Sequence, residues 1–111
     1  MAVPVENITI EQGADFEKVY TLKNPDSSII DLSNYTAIAK IKRHSTSTTS
    51  YDFNVGIAST VGQITISIAG TITDTIPYGR HYYDIFTTDT LTGIVTKAYT
   101  GMVLVNSSIS L

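Results

Sequence analysis

Apolar and polar side chains alternate along most of this 111-residue chain. A period of two places successive side chains on opposite faces of a strand, and no stretch keeps the helical spacing beyond two turns. The clearest alternation lies at residues 63–69, where isoleucines alternate with Gln63, Thr65 and Ser67. The pattern predicts strands over residues 5–11, 16–22, 35–43, 51–58, 63–69, 80–87 and 94–105.

The alternation also predicts which side chains face the core. In the second strand the apolar mass comes from Phe16, Val19, Tyr20 and Leu22. The third strand turns Tyr35, Ala37, Ala39 and Ile41 inward. The sixth strand has His81, Tyr83 and Ile85 on one face and Tyr82, Asp84 and Phe86 on the other.

Turn signals separate these strands. Residues 24–27 combine Pro25 with Asp26 and predict a tight turn. The hydroxylic tract 45–50 is expected to be an exposed loop, and the segment 70–79 is expected to cross from one sheet to the other. Residues 89–93 predict a hairpin loop with Gly93 at a positive φ, and Gly101 indicates a bulge or a close approach of two backbones.

Seven or eight short strands at this spacing predict an all-β fold, a two-sheet antiparallel sandwich of the immunoglobulin-like kind. We expect residues 1–111 to form one domain, with 106–111 as a tail or a final edge strand. Because no helix is long enough for a crossover between parallel strands, a parallel sheet is not expected. The N-terminal residues lack the features of a signal peptide, so we expect translation to start at Met1 and the product to stay whole.

Composition narrows the classes of function. Apolar residues make up 42% of the chain and charged residues 15%, which is typical of strands around a packed core. The net charge of −3 argues against nucleic-acid binding, and the absence of cysteine excludes disulfides. No apolar run approaches the roughly 20 residues that span a membrane. Basic residues cluster at 40–44, with Lys40 and Lys42 on one side and Arg43 on the other; the cluster is either a solvated strand end or an acid-binding patch.

Few residues are candidates for catalysis. His44 and His81 lie in no nucleophile motif and have no metal-ligand spacing. Asp84 is flanked by predicted core and therefore needs a partner, such as Arg80, Lys97 or a backbone amide. We expect no enzymatic activity, no cofactor and no bound metal; a small hydrolase that uses His81 or Asp84 is the least favoured alternative.

The tyrosines divide into two groups. Tyr20, Tyr35, Tyr83 and Tyr99 fall where a sandwich needs core bulk. Tyr51, Tyr78 and Tyr82 are freer, and tyrosine is a frequent anchor in protein interfaces. These three side chains suggest either an interface or a platform for stacking on sugars.

Several blocks, in order along the chain, resemble small β-sandwich proteins of tailed-phage virions. Residues 10–16 resemble the "QG-x-x-F" opening of that family, and residues 30–37 its "I-D-L-(S/T)-x-Y-x-A" segment. Residues 62–68 are similar to the "G-x-I-x-L-x-L" strand, residues 75–85 to the "I-P-x-G-x-Y-x-Y-D-I" block, and residues 101–105 to the closing "G-x-V-x-V" strand. The likeness extends to accessory proteins of cyanobacterial phages and to N-terminal domains of baseplate and receptor-binding-protein subunits.

The resemblance implies assembly onto a capsid, neck, tail or baseplate in the virion, after synthesis in the host cytoplasm. Because the chain ends at Leu111 without a fused domain, a decoration or connecting role is expected. The expected partners are other virion proteins in many symmetric copies, or further copies of the chain itself, and neither nucleic acid nor membrane. Contacts are expected at the first strand, the tail and the freer tyrosines, with these side chains at the interface: Val5, Ile8, Tyr51, Tyr78, Tyr82 and Ile109. The alternative function is a carbohydrate-binding, adhesin-like module.

Overall fold

The computed structural model describes residues 3–23, 28, 30–44 and 46–109, so the predicted turn at 24–27 lies outside the described residues. The described chain forms eight strands: β1 (Ile8–Glu11), β2 (Phe16–Thr21), β3 (Tyr35–Lys42), β4 (Tyr51–Asp52), β5 (Asn54–Ala58), β6 (Gln63–Ile68), β7 (Gly79–Asp89) and β8 (Val95–Asn106). A 3₁₀ turn at Ser59–Val61 precedes β6, and the one-turn helix α1 (Gly70–Thr73) follows it.

The strands form two sheets. The large sheet has the order β1-β8-β7-β3-β4, and the small sheet has the order β2-β6-β5. One core lies between the two sheets: Ile64, Ile66 and Ile68 of β6 are buried together with Ile41 of β3 and Ile85 of β7. The predicted all-β sandwich of two sheets is confirmed, and so is the alternation of β3, β6 and β7.

One strand pair departs from the antiparallel arrangement. β1 pairs in parallel with β8, so that Ile8 lies opposite Val103 and Ile10 opposite Val105. Parallel neighbours need a long connection, which between consecutive strands is usually a crossover helix. Here the connection from β1 to β8 is almost the whole domain, and a crossover helix is therefore not required.

The predicted strand 51–58 is divided between the two sheets. β4 pairs with β3 in the large sheet, whereas β5 pairs with β6 in the small sheet. Between them lies Phe53, which is buried and whose N–H donates to the carbonyl of Ala39 at 3.0 Å. Its ring lies 6.1 Å from that of Phe16 and 6.3 Å from that of Tyr83. Burial of Phe53 therefore fixes the point at which the chain changes sheet.

β2 corrects one sequence expectation. Phe16, Lys18 and Tyr20 face inward, and Val19, which we expected to add core mass, faces outward. Strict alternation places Val19 opposite Thr65 on the outer side of the small sheet. The inward Lys18 is tolerated because its ammonium pairs with the carboxylate of Glu6 at 3.2 Å.

Gly101 marks a close approach rather than a bulge. A Cβ at this position would collide with the carbonyl of Glu6 and would lie 2.9 Å from the ring of Tyr83. The β7–β8 register shifts instead beside Ala98, because Ile85 lies opposite Tyr99 and Phe86 opposite Lys97. The segment before β1 packs closely on β8 only because position 101 has no side chain.

The predicted connections agree with the structure where it describes them. The segment 70–79 contains α1 and leads from β6 in the small sheet to β7 in the large sheet. Gly93 adopts a φ of 77° in the loop between β7 and β8. β8 ends at Asn106, and residues 107–109, the described part of the predicted tail, form no strand.

Candidate binding surface

The outer face of the large sheet combines apolar and basic side chains. Alternation in β3, β7 and β8 turns one set of residues away from the core. We call this set the basic face, and it consists of Ile38, Lys40, Lys42, Arg80, Tyr82, Asp84, Phe86, Lys97, Met102 and Leu104.

Large apolar side chains on the basic face are open to solvent. Ile38 is 59% exposed, Tyr82 46% and Leu104 47%. Ile38 lies opposite Phe86, and Tyr82 lies opposite Met102, so the apolar groups are neighbours across strands. A groove of about 620 Å³ runs over this region. The row Lys40–Asp84–Thr100 lies between the two apolar pairs. Exposed apolar surface bordered by polar groups is typical of a site that binds a protein or another ligand.

Cations surround this apolar groove. Lys40 lies 3.6 Å from Asp52, and Lys97 lies 4.0 Å from Asp84. Both pairs are substantially exposed, so water screens them and each is worth about 0–1 kcal/mol. Lys42 also lines the groove, and no carboxylate of the described residues lies within 4.0 Å of its ammonium. The surface therefore attracts acidic groups through charge that is not already neutralised.

The basic cluster at 40–44 divides as its alternation predicts. Lys40, Lys42 and His44 line the groove of the basic face. Arg43 lies in a separate cleft with Pro77 and His81. The groove brings Lys97 of β8 together with the lysines of β3, although about half the chain separates them in sequence.

The outer face of the small sheet has the opposite character. Its cross-strand rows consist almost entirely of hydroxyl, amide and small side chains. They run Glu17–Ser67–Asn54, Val19–Thr65–Gly56 and Thr21–Gln63–Ala58. Val19 is the one large apolar side chain in these rows. This face is suited to contact with water.

The predicted interface residues do not form one surface. Val5, Tyr78, Tyr82 and Ile109 are exposed. Ile8 is only 6% exposed, because it faces the core beside Val103; as an interface side chain it was a wrong prediction. Exposure leaves the other positions open to contact, and their role in an interface stays a prediction.

The three freer tyrosines lie on different sides of the large sheet. Tyr51 lies opposite the buried Ile41 and packs partly against the core. Tyr82 lies opposite Lys42 on the basic face. Tyr78 is exposed in the segment before β7. Stacking on one sugar needs aromatic rings on one face, and Tyr51 and Tyr82 do not share one.

The candidate catalytic side chains also point in different directions. Asp84 faces outward and pairs with Lys97, which is one of the partners expected from the sequence. His81 faces the core and is 1% exposed. Its Nε2 donates a hydrogen bond to the carbonyl of Pro77 at 2.7 Å, because a carbonyl only accepts. Nδ1 has no hydrogen-bond partner among the described residues.

The sequence did not reveal a buried chain of tyrosine hydroxyls. The Tyr83 hydroxyl donates to the carbonyl of Glu6 at 2.6 Å, so Tyr20, 2.8 Å away, donates to Tyr83. Burial raises the pKa of both phenols, and the donated hydrogen bond raises that of Tyr20 further. The ring of Tyr20 also lies 4.6 Å from that of Tyr99. The two hydroxyls join the small sheet, the large sheet and the N-terminal segment.

No group of three or more metal-binding side chains of the His, Asp or Glu type is found within residues 3–23, 28, 30–44 and 46–109. In the same residues, no helix is long and apolar enough to cross a membrane.

Comparison with models of protein families found no matching family, and a search of curated proteins found no match to the chain.

Proposed function

We propose that this chain is a structural subunit of a phage virion that binds other virion proteins through the outer face of its large sheet. The observation that supports this function best is the basic face. There Ile38, Tyr82 and Leu104 are exposed on the same face as Lys42, which has no carboxylate of the described residues within 4.0 Å. The phage assignment itself rests on the order of sequence blocks at 10–16, 30–37, 62–68, 75–85 and 101–105.

The chemistry of the basic face fits protein partners. Aromatic and large apolar side chains supply most of the binding energy of protein interfaces, while charged groups at the rim govern orientation and rate of association. Tyr82 can serve as an anchor because it is exposed between Lys42 and Met102. The adhesin-like alternative lacks a comparable surface, since its proposed tyrosines do not share a face.

Edge strands provide a second route to assembly. β1 lies at one edge of the large sheet, and β2 and β5 lie at the edges of the small sheet. An edge has unpaired backbone groups that can extend a sheet of a neighbouring subunit. In a symmetric particle, many copies would make even a small contact effective through avidity. The proposed role is therefore decoration or connection within the capsid, neck, tail or baseplate.

The test is the protein composition of purified particles from the phage that encodes this chain. Mass spectrometry is expected to find the chain in particles, in a constant ratio to a major capsid or tail protein. That ratio should survive washing at low ionic strength and a further density gradient. Absence of the chain from particles, with the protein present only in the soluble fraction of infected cells, would refute the proposal.

A further inference from the structure

Charge is unevenly divided over the surface of the protein. The basic face carries four of the seven lysine and arginine residues, namely Lys40, Lys42, Arg80 and Lys97. Among the carboxylates of the described residues, Asp84 lies on this face, and Asp52 of β4 and Glu11 of β1 lie on the strands that flank it. The chain as a whole has a net charge of −3, so the remainder of the protein is distinctly acidic.

Part of that acidity is concentrated where the turn between β1 and β2 meets α1. Asp15 accepts a hydrogen bond from the Gly70 N–H at 2.6 Å. Thr73 donates to the carbonyl of Ala14 at 2.9 Å, which holds Asp74 beside the same turn. Glu17 follows in β2, on the outer side of the small sheet. Within the described part of the chain, no lysine or arginine lies within 4.0 Å of these carboxylates.

One exposed apolar side chain lies beside these carboxylates. Ile72 of α1 is 41% exposed, and it lies between Gly70, whose N–H binds Asp15, and Asp74. We call this region the acidic end, and it consists of Asp15, Glu17, Ile72 and Asp74. It combines exposed apolar surface with charge, as the basic face does, but with charge of the opposite sign.

We propose that the basic face of one copy of this chain binds the acidic end of a second copy. The proposal rests on the assembly function above and names a partner for its principal surface. Apolar contact between Ile38 or Tyr82 and Ile72 removes exposed apolar area from water. The opposite charges orient the two copies and suppress the contact of two basic faces with each other.

This contact uses different surfaces of the two copies. A contact of this kind leaves one acidic end and one basic face unoccupied in each dimer, so further copies can add head to tail. The geometry of each addition then decides between a closed ring and an open chain. Either product suits a subunit that is repeated around or along a particle.

The test uses the full chain in sedimentation velocity over a range of concentrations. The wild-type sedimentation coefficient is expected to rise with concentration at about 0.01 M ionic strength, where the Debye length is about 30 Å. The rise should be much smaller at about 1 M, where that length is about 3 Å. A chain that remains monomeric at low salt overturns the proposal, whereas the particle-composition test of the proposed function is unaffected by that result.

Two charge reversals locate the contact. Lys42→Glu changes the basic face, and Asp74→Lys changes the acidic end; each should weaken association by at least about tenfold because like charges then meet. Lys23→Glu is the matched control, since it changes the net charge as Lys42→Glu does at an exposed position outside both surfaces. An equal effect of Lys23→Glu would show only general electrostatics and would contradict the proposal.

Mixing the two variants provides the decisive result. The Lys42→Glu chain keeps a wild-type acidic end, and the Asp74→Lys chain keeps a wild-type basic face. Each variant alone should be largely monomeric, whereas an equimolar mixture should form heterodimers through the two intact surfaces. No recovery on mixing would overturn the head-to-tail contact. Arg80→Glu and Glu17→Lys serve as second variants if urea unfolding shows that either first variant is destabilised.

Discussion

The outer faces of the two sheets differ although the same alternation of side chains produces both. Across the middle of the small sheet, the outward row consists of Val19, Thr65 and Gly56. A corresponding row of the large sheet consists of Ile38, Phe86 and Lys97. The first row is mostly polar or small, whereas the second pairs a large aliphatic side chain with an aromatic ring under an ammonium, Lys97 Nζ lying 5.4 Å from the ring centre of Phe86.

The orientation of a side chain and the kind of contact it makes depend on different features of the sequence. A period of two determines which side chains face outward, and it does so equally well in β6 and in β3. The chemistry of the outward side chains then indicates what covers them. Single exposed apolar residues are common on soluble proteins, but several large exposed apolar side chains on one face favour a binding partner.

The largest change in stability is expected when substitutions on the inner and outer faces of β6 are compared. Ile66→Ala removes a side chain with no exposure and leaves a cavity between the sheets, so the free energy of unfolding should fall by about 2–5 kcal/mol. Thr65→Ala, next to it on the outer face, should change that free energy by about 0.5 kcal/mol or less. Urea unfolding of the two variants measures both. Equal losses would mean that β6 does not separate a core from a solvated face.

The next largest change in stability is expected from alanine substitution of one glycine in each sheet. Gly101→Ala places a Cβ against the carbonyl of Glu6 and the Tyr83 ring, and we expect a loss of about 1–3 kcal/mol. Gly56→Ala, on the outer face of the small sheet, meets no atom within 4 Å and should be neutral or slightly stabilising. Thermal unfolding followed by circular dichroism compares the two. A neutral Gly101→Ala would contradict the close packing of the N-terminal segment on β8.

A third comparison concerns the buried tyrosines between the two sheets and an exposed tyrosine on the outer face of the large sheet. Burial raises the pKa of Tyr20 and Tyr83, so the folded state keeps their protons to higher pH than the unfolded state, whose tyrosines titrate near 10.0. The corresponding stability is present below about pH 10 and decreases as pH rises above it. Tyr20→Phe should cost about 1 kcal/mol at neutral pH and should reduce the decrease at alkaline pH.

The control for that experiment is Tyr82→Phe on the basic face. It should leave both the neutral-pH stability and the alkaline decrease close to those of the wild type. Urea midpoints measured from neutral pH to above pH 10 provide the comparison. If Tyr20→Phe and wild type lose stability in parallel, the buried hydroxyls are not the cause.

The smallest change in stability is expected from two substitutions that make each outer face resemble the other. Ile38→Thr makes the basic face more polar, and Thr65→Val makes the small sheet's outer face more apolar. Each should change the free energy of unfolding by about 0.5 kcal/mol or less, because both sites are at the surface. Only Ile38→Thr should reduce self-association in sedimentation. Reduced association of Thr65→Val would place the contact on the other sheet.

Much of the fold follows from the sequence because local alternation carries it. The isoleucines of β6 and the His81, Tyr83 and Ile85 face of β7 are buried as expected. The parallel pairing of β1 with β8 could not be read from the pattern, because it depends on which distant strand supplies the edge. The change of sheet at Phe53 was also hidden, since the alternation of 51–58 continues through it without interruption.

The candidate surface was only partly visible in the sequence. The basic cluster at 40–44 and the freer Tyr82 were apparent from residue types, and Ile8 was wrongly placed at an interface because its inward orientation depends on β8. Lys97 and Leu104 join Lys42 and Tyr82 only through the pairing of β7 with β8. A surface built from three strands distant in sequence requires the register, which residue patterns do not supply.

The most direct test of the central claim is imaging of particles that contain the protein, at a resolution that assigns density to individual side chains. We expect the basic face, with Ile38, Tyr82 and Leu104, to be covered by a neighbouring subunit. The Thr65 row of the small sheet should instead remain open to solvent. A particle in which the basic face is solvent-exposed and the Thr65 row of the small sheet is covered would contradict the account.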